Sequence, residues 1–189
     1  MARVRDIGIE EVDDATRPVY QRFANEYGPF LNQVKVFAHR PIALRHIMGM
    51  LLEMADQPIL NKRHLEIAIV TVSAINRCDY CVAHHAPRLV ELGLADATIE
   101  QILDDDCPGL DPLDRLVRDY AIQVTRDHNR VGDALFDRLR EHFDEAQIVE
   151  LTLRITLCTF FNKFNDVMQL NMEEEAAVFY HDRGTNASP

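Results

Sequence analysis

Residues 65–85 read LEIAIVTVSAINRCDYCVAHH, and the fold turns on whether the apolar half of this stretch is a strand or a helix. Its β-branched residues suit either state. Asn61 is a good helix N-cap, and a continuous pattern from there to Ile75 is too long for an ordinary buried strand. No other segment reads as a strand to pair with it. We therefore expect a buried helix to about Ile75 and a second helix opening near Cys78. That helix runs to Leu92 and ends on Gly93, a residue suited to a helix C-terminus.

Helix signals continue on both sides. Asp14 to Tyr27 has one apolar side, and the turn at 28–30 ends it. Pro41 opens a helix to Met54, with Leu44, Ile47, Met48, Leu51 and Leu52 in a stripe. Asp96 caps a short helix to Leu103, and Asp111-Pro112 opens one that includes Leu113 to Val124. Val131 to His142 follows. Asp144 with Gln147 resembles a capping box for a helix from Glu145 to about Phe160. A last helix covers roughly Lys163 to Tyr180, before a frayed tail. The fold class is all-α, in a single domain spanning 1–189.

Composition narrows the function classes. The 189 residues carry a formal net charge of −11 and are 47% hydrophobic. Such a chain is an acidic globular protein, with no clustered Lys and Arg for nucleic acid or an anionic membrane. The opening residues lack the apolar core of a signal peptide, and the run IAIVTVSAI is far short of the ~20 residues that span a bilayer. These features point to the cytoplasm, where thiols stay reduced. The four cysteines, Cys78, Cys81, Cys107 and Cys158, then suggest catalysis or metal binding rather than a disulfide framework.

A repeat lies within the chain. VELTLRITLCTFFNKFNDVMQ (149–169) aligns with 65–85 at a shift of 84 residues. Glu66 matches Glu150, Cys78 matches Asn162, Cys81 matches Asn165 and His85 matches Gln169. The first copy, about 41–92, carries reactive side chains. The second, about 130–180, carries amides and reads as a scaffold.

Spacing suggests how the first copy could work. A thiolate is stabilised by a helix N-terminus, where Cys78 and Cys81 are expected. His85 follows Cys81 by four residues and shares its helix face. On one continuous helix Glu66 would lie ~18 Å from Cys78. If the chain instead reverses near Asn76-Arg77, Glu66 and His85 become neighbours across a helical hairpin. The relay would then run from Glu66 to His85 to Cys81, with Cys78 ready to close a disulfide. Other readings coexist. Glu66 can pair with Arg63 or Arg154, His84 competes with His85, and a Cys2His site could hold zinc with a water. Cys107 and Cys158 look isolated and supply no second knuckle, and no metal or organic cofactor is required.

Glu66, eleven residues, Cys78-Asp79-Tyr80-Cys81, three residues and His85 together resemble the signature of the alkylhydroperoxidase D / carboxymuconolactone decarboxylase superfamily. The segments FLNQVKVFAHRPIALRHIMGMLLE and FFNKFNDVM resemble its peroxidase-related branch, and the likeness covers roughly Asp14 to Met172. The resemblance implies an alkylhydroperoxidase D-like helical bundle with an internal helical-hairpin repeat, and a homo-oligomer, trimer or hexamer. It implies a thiol-dependent peroxidase in which Cys81 attacks a hydroperoxide, Cys78 resolves it, and Glu66 and His85 move protons. An external dithiol, such as a thioredoxin-like reductant, would restore the thiols. The sequence departs in having Tyr80 where alkylhydroperoxidase D proper has a histidine. The alternatives are a decarboxylase-type lyase or hydrolase using Glu66 and His85, and a non-catalytic thiol switch.

Overall fold

The computed structural model describes residues 2–26, 30–174 and 176–177. It is helical throughout, and among the described residues no strand is present. The chain divides into two compact units, one made of Met1–Pro58 with Asn165–Pro189, the other of Ile59–Phe164.

In the first unit, α1 (Arg17–Glu26) packs against α2 (Leu31–Phe37), a wide π-helical turn (Leu44–Met48) and α4 (Gly49–Asp56). The short α3 (Pro41–Ala43) leads into that turn. Helix α1 begins three residues later than Asp14. The cause is Asp13, whose Oδ1 accepts the Thr16 N–H at 2.8 Å and holds 14–16 in a turn. The sequence pattern did not single out α2. The proposed end at 28–30 falls largely outside the described residues, as do 178–180 of the last expected helix; its described residues 169–173 are not helical. Inside this unit Gln33 donates to Asn165 Oδ1 at 2.9 Å, and both side chains are buried.

The second unit is built around α5 (Lys62–Asn76), buried continuously from Glu66 to Ser73. A helix buried on every side needs no polar face, which is why its sequence resembles a strand. Asn61 caps it, accepting the Arg63 N–H at 2.8 Å. It packs against α6 (Asp79–Glu91) and α8 (Pro112–Asp127). Asp111 caps α8 through the N–H groups of Leu113 and Asp114, both at 2.8 Å. The shorter α7 (Asp96–Glu100) and α9 (Asp133–Arg140) join these elements.

The reversal between α5 and α6 has an identifiable device. Arg77 adopts left-handed geometry with φ 54°, and its N–H bonds the Ala74 carbonyl at 3.2 Å. The Cys78 N–H reaches back to Ser73 at 3.0 Å. This pair of bonds is a Schellman motif, usually built on glycine. Gly93, with φ 85°, closes α6 by the same pattern through Val90 and Leu89.

The last helix corrects the sequence reading. α10 runs unbroken over Glu145–Met168, where two helices meeting near 161–162 were expected. Asp144 and Gln147 form the expected reciprocal cap. From there to Met168 the sequence offers no glycine or proline to stop the helix. The aligned residues 149–169 are therefore mostly one helix, whereas 65–85 bend at Arg77.

Asp114 is fully buried and is held by Arg63 at 2.7 Å. Replacing Arg63 with Ala leaves that carboxylate without its main partner. We expect a loss of about 3 kcal/mol in folding free energy, read from urea unfolding at pH 7; a loss below ~0.5 kcal/mol, the range of ordinary surface changes, would contradict it.

Candidate active site

All four sequence-selected residues lie in the second unit, on the α5–α6 hairpin. Cys78 is the N-cap of α6 and Cys81 its third helical residue, so both sit in the turn whose N–H groups lack intrahelical acceptors. Both are buried. The first carbonyl of the helix, that of Cys78, accepts the Val82 N–H at 3.0 Å. His85 lies one turn beyond Cys81 on the same helix.

The hairpin brings Glu66 and His85 together. His85 Nδ1 is 2.7 Å from Glu66 Oε2, and Arg88 Nη1 donates to the other oxygen at 3.1 Å. Arg63, which the sequence offered as a partner for Glu66, is instead committed to Asp114. Arg88 was missed by the sequence reading. Its signal was available, since it falls three residues after His85 and thus on the same face of α6.

Electrostatics assign the protons. Burial pushes the Glu66 carboxyl up, but His85 and Arg88 together outweigh it and bring it down to about 2. Burial holds the His85 imidazole below its ordinary value; Glu66 pulls the other way, while Arg88 and His84 add to the lowering. At neutral pH the pair is thus a carboxylate accepting from a neutral imidazole through Nδ1–H. That tautomer leaves Nε2 as an acceptor.

His84 is turned to a different task. Its Nδ1 bonds the Tyr80 carbonyl, and its ring lies 4.2 Å from the Tyr80 ring at an interplanar angle of 32°. Tyr80 thus packs against a histidine one turn on.

Cys158 is not isolated, as its sequence context suggested. It sits 3.4 Å from Ser73 Oγ and donates toward the Ile69 carbonyl at 3.6 Å. Burial pushes its thiol up to about 12; the Ser73 bond offsets part of this and nearby Cys78 adds to it. Asn162, the residue aligned with Cys78, donates to Ser73 Oγ at 3.2 Å and accepts from Asn76 at 2.9 Å. These amides and hydroxyls form a buried network under the turn that presents Cys78. Cys107 lies elsewhere, donating to the Thr98 carbonyl at 3.4 Å. Among the described residues no group of three or more His, Cys, Asp or Glu is placed to hold a metal ion. No helix among them is long and apolar enough to cross a membrane.

Residues 41–111, which include the whole hairpin, match the carboxymuconolactone decarboxylase family. The chain has an alkylhydroperoxidase D-like helical fold, and its segment 41–111 is similar to that family. The uncharacterized protein YdfG of Bacillus subtilis (strain 168) is 25% identical over 138 residues, 72% of this chain and 93% of that one. The alkylhydroperoxidase AhpD core of an uncharacterized peroxidase-related protein from Ralstonia eutropha JMP134 superposes with a TM-score of 0.78. It shares 22% identity over 93% of this chain and 94% of its own. The debrominase Bmp8 has the same fold, with a TM-score of 0.77, 15% identity, and 95% and 97% of the two chains covered.

The protonation states predict a pH dependence of stability. His85 and His64 both lie below 6.5 when folded, chiefly through burial. The unfolded chain therefore takes up their protons first. Their stabilising contribution is complete above pH 6.5 and declines as the pH falls below it. The Glu66 contribution is present above 4.5 and is lost as the pH falls toward about 2. Urea midpoints should drop between pH 7.5 and 5.5 and drop further below 4.5. Equal midpoints at 7.5 and 5.5 would show that the two imidazoles are not held neutral by the fold.

Proposed function

We propose that the protein is a thiol-dependent peroxidase of a reducing, cytoplasmic compartment, reducing hydroperoxides through Cys81 and Cys78. The observation that carries this reading is the 2.7 Å bond from His85 to Glu66, which orients an imidazole base one helical turn from Cys81. His85 Nε2 accepts the Cys81 proton. The thiolate attacks the terminal peroxide oxygen, the O–O bond breaks, and Cys81 becomes a sulfenic acid. The departing alkoxide or hydroxide takes its proton from the His85 imidazolium and leaves as an alcohol or water. Cys78 then attacks the sulfenic sulfur, water departs, and a disulfide closes. Exchange with an external dithiol, of the thioredoxin-like kind, restores both thiols.

In this scheme Glu66 carries charge and direction rather than protons, because a carboxyl near 2 remains ionised throughout the cycle. The peroxidase-related proteins that share the fold support the peroxide reading, and a homo-oligomer belongs to it as the family's usual state. The match to the carboxymuconolactone decarboxylase family supports a second reading, a lyase or hydrolase in which Glu66 and His85 act without the cysteines.

Cysteine variants separate the two. Cys81→Ser should abolish peroxide consumption, a loss of at least ~100-fold, the range typical for removing a chemical group from catalysis. Cys78→Ser should still consume one equivalent and accumulate a sulfenic acid that a dione reagent traps. The wild type should lose two titratable thiols per peroxide consumed. Undiminished peroxide turnover in Cys81→Ser removes the peroxidase reading, and lactone turnover that survives loss of both cysteines establishes the second.

A further inference from the structure

We infer that Arg88 is a positioning residue for this site: by holding the second oxygen of Glu66, it offsets the pull of that carboxylate on His85, so that the buried imidazole stays neutral with Nε2 as the proton acceptor. The inference rests on the assignment of His85 as the base and extends it to a residue outside the CxxC–His signature.

The geometry is that of one carboxylate between two donors. Glu66 has a side chain only 3% exposed, with Oε2 on His85 Nδ1 at 2.7 Å and Oε1 on Arg88 Nη1 at 3.1 Å. A buried carboxylate must be compensated by positive charge. If His85 were its only partner, the anion would favour an imidazolium, protonated at both nitrogens. Such a ring still donates through Nδ1, but its Nε2 can accept nothing. Arg88 supplies a permanent charge from the same face of α6, so the carboxylate no longer needs one from His85. The imidazole is then free to gain a proton only from the thiol and to lose it again in the same cycle.

The other charged groups around His85 do not substitute for Arg88. Glu66 from α5 favours the imidazolium, while His84, on the same helix as His85, adds to the lowering. His84 is engaged with the Tyr80 carbonyl and ring. Helix α7, which also packs on α6, carries Asp96 and Glu100, and both are exposed. Arg88 is thus a permanent cation in direct contact with the carboxylate.

The test follows the His85 imidazole by NMR in the full chain, together with the pH dependence of Cys81 alkylation by iodoacetamide. Arg88→Gln should raise the His85 midpoint by about one pH unit, the size expected for removing a unit charge across a partly buried site. The acid limb of alkylation should move up with it. Arg88→Lys should bring both back to within about 0.3 units of the wild type, since it keeps the charge. Arg88→Met, which retains the aliphatic length, replaces the glutamine variant if that one lacks the native helical circular dichroism. A His85 midpoint unchanged in a folded neutral variant overturns the inference. Peroxide turnover is read separately: a raised midpoint in a chain that consumes no peroxide keeps the role of Arg88 and removes only the peroxidase.

Discussion

Burying a carboxylate in the middle of an apolar helix imposes a condition that the surrounding structure has to meet. Glu66 lies on α5 among Ile67, Ala68 and Val70, all of them buried. Uncompensated, such a charge would cost several kcal/mol. The α6 helix meets the condition with His85 and Arg88, and it can do so only if the chain reverses within a few residues of Asn76. The left-handed Arg77 makes that reversal, and the same turn delivers Cys78 to the start of α6. Charge compensation, hairpin closure and placement of the thiols are thus one structural event.

The turn is itself supported from α10. Asn162 links Ser73 and Asn76, and Cys158 packs against Ser73. A buried amide of this kind is stabilising only when its donors and acceptors are matched, and here the bonds run to two residues of the final turn of α5. The position that aligns with Cys78 in the sequence therefore carries a side chain that braces the Cys78 turn. This gives the amide-bearing stretch a physical task, whatever its evolutionary origin. A third sulfur, Cys158, lies near Cys78 and is held protonated by burial.

Much of this is legible in the sequence. Local signals gave the helix starts at Asn61, Asp111 and Asp144, because a cap is made by neighbours within three residues. The Glu66–His85 contact was legible too, since a tight hairpin makes residues equidistant from the turn into neighbours. Other features were not. The break expected near 161–162 is absent, because a turn needs a residue that leaves the right-handed region, and Phe160 and Phe161 stay helical within α10. Helix α2 went unrecognised because Gln33 and Asn32 interrupt its apolar pattern; Gln33 is buried nonetheless, with Asn165 as its partner.

The sequence by itself determined the helical class, the hairpin and the four residues of the CxxC, His and Glu motif, because each depends on spacing along one short segment. Only the tertiary structure decided how the ionisable groups pair. Arg63 was equally available to Glu66 by sequence, yet it lies across from α8 and is taken by Asp114. Arg88, unremarked in the sequence, holds the second oxygen of Glu66. The physical reason is that a charge pairs with what lies across the packing interface, and the side chains brought there depend on how whole helices settle against one another.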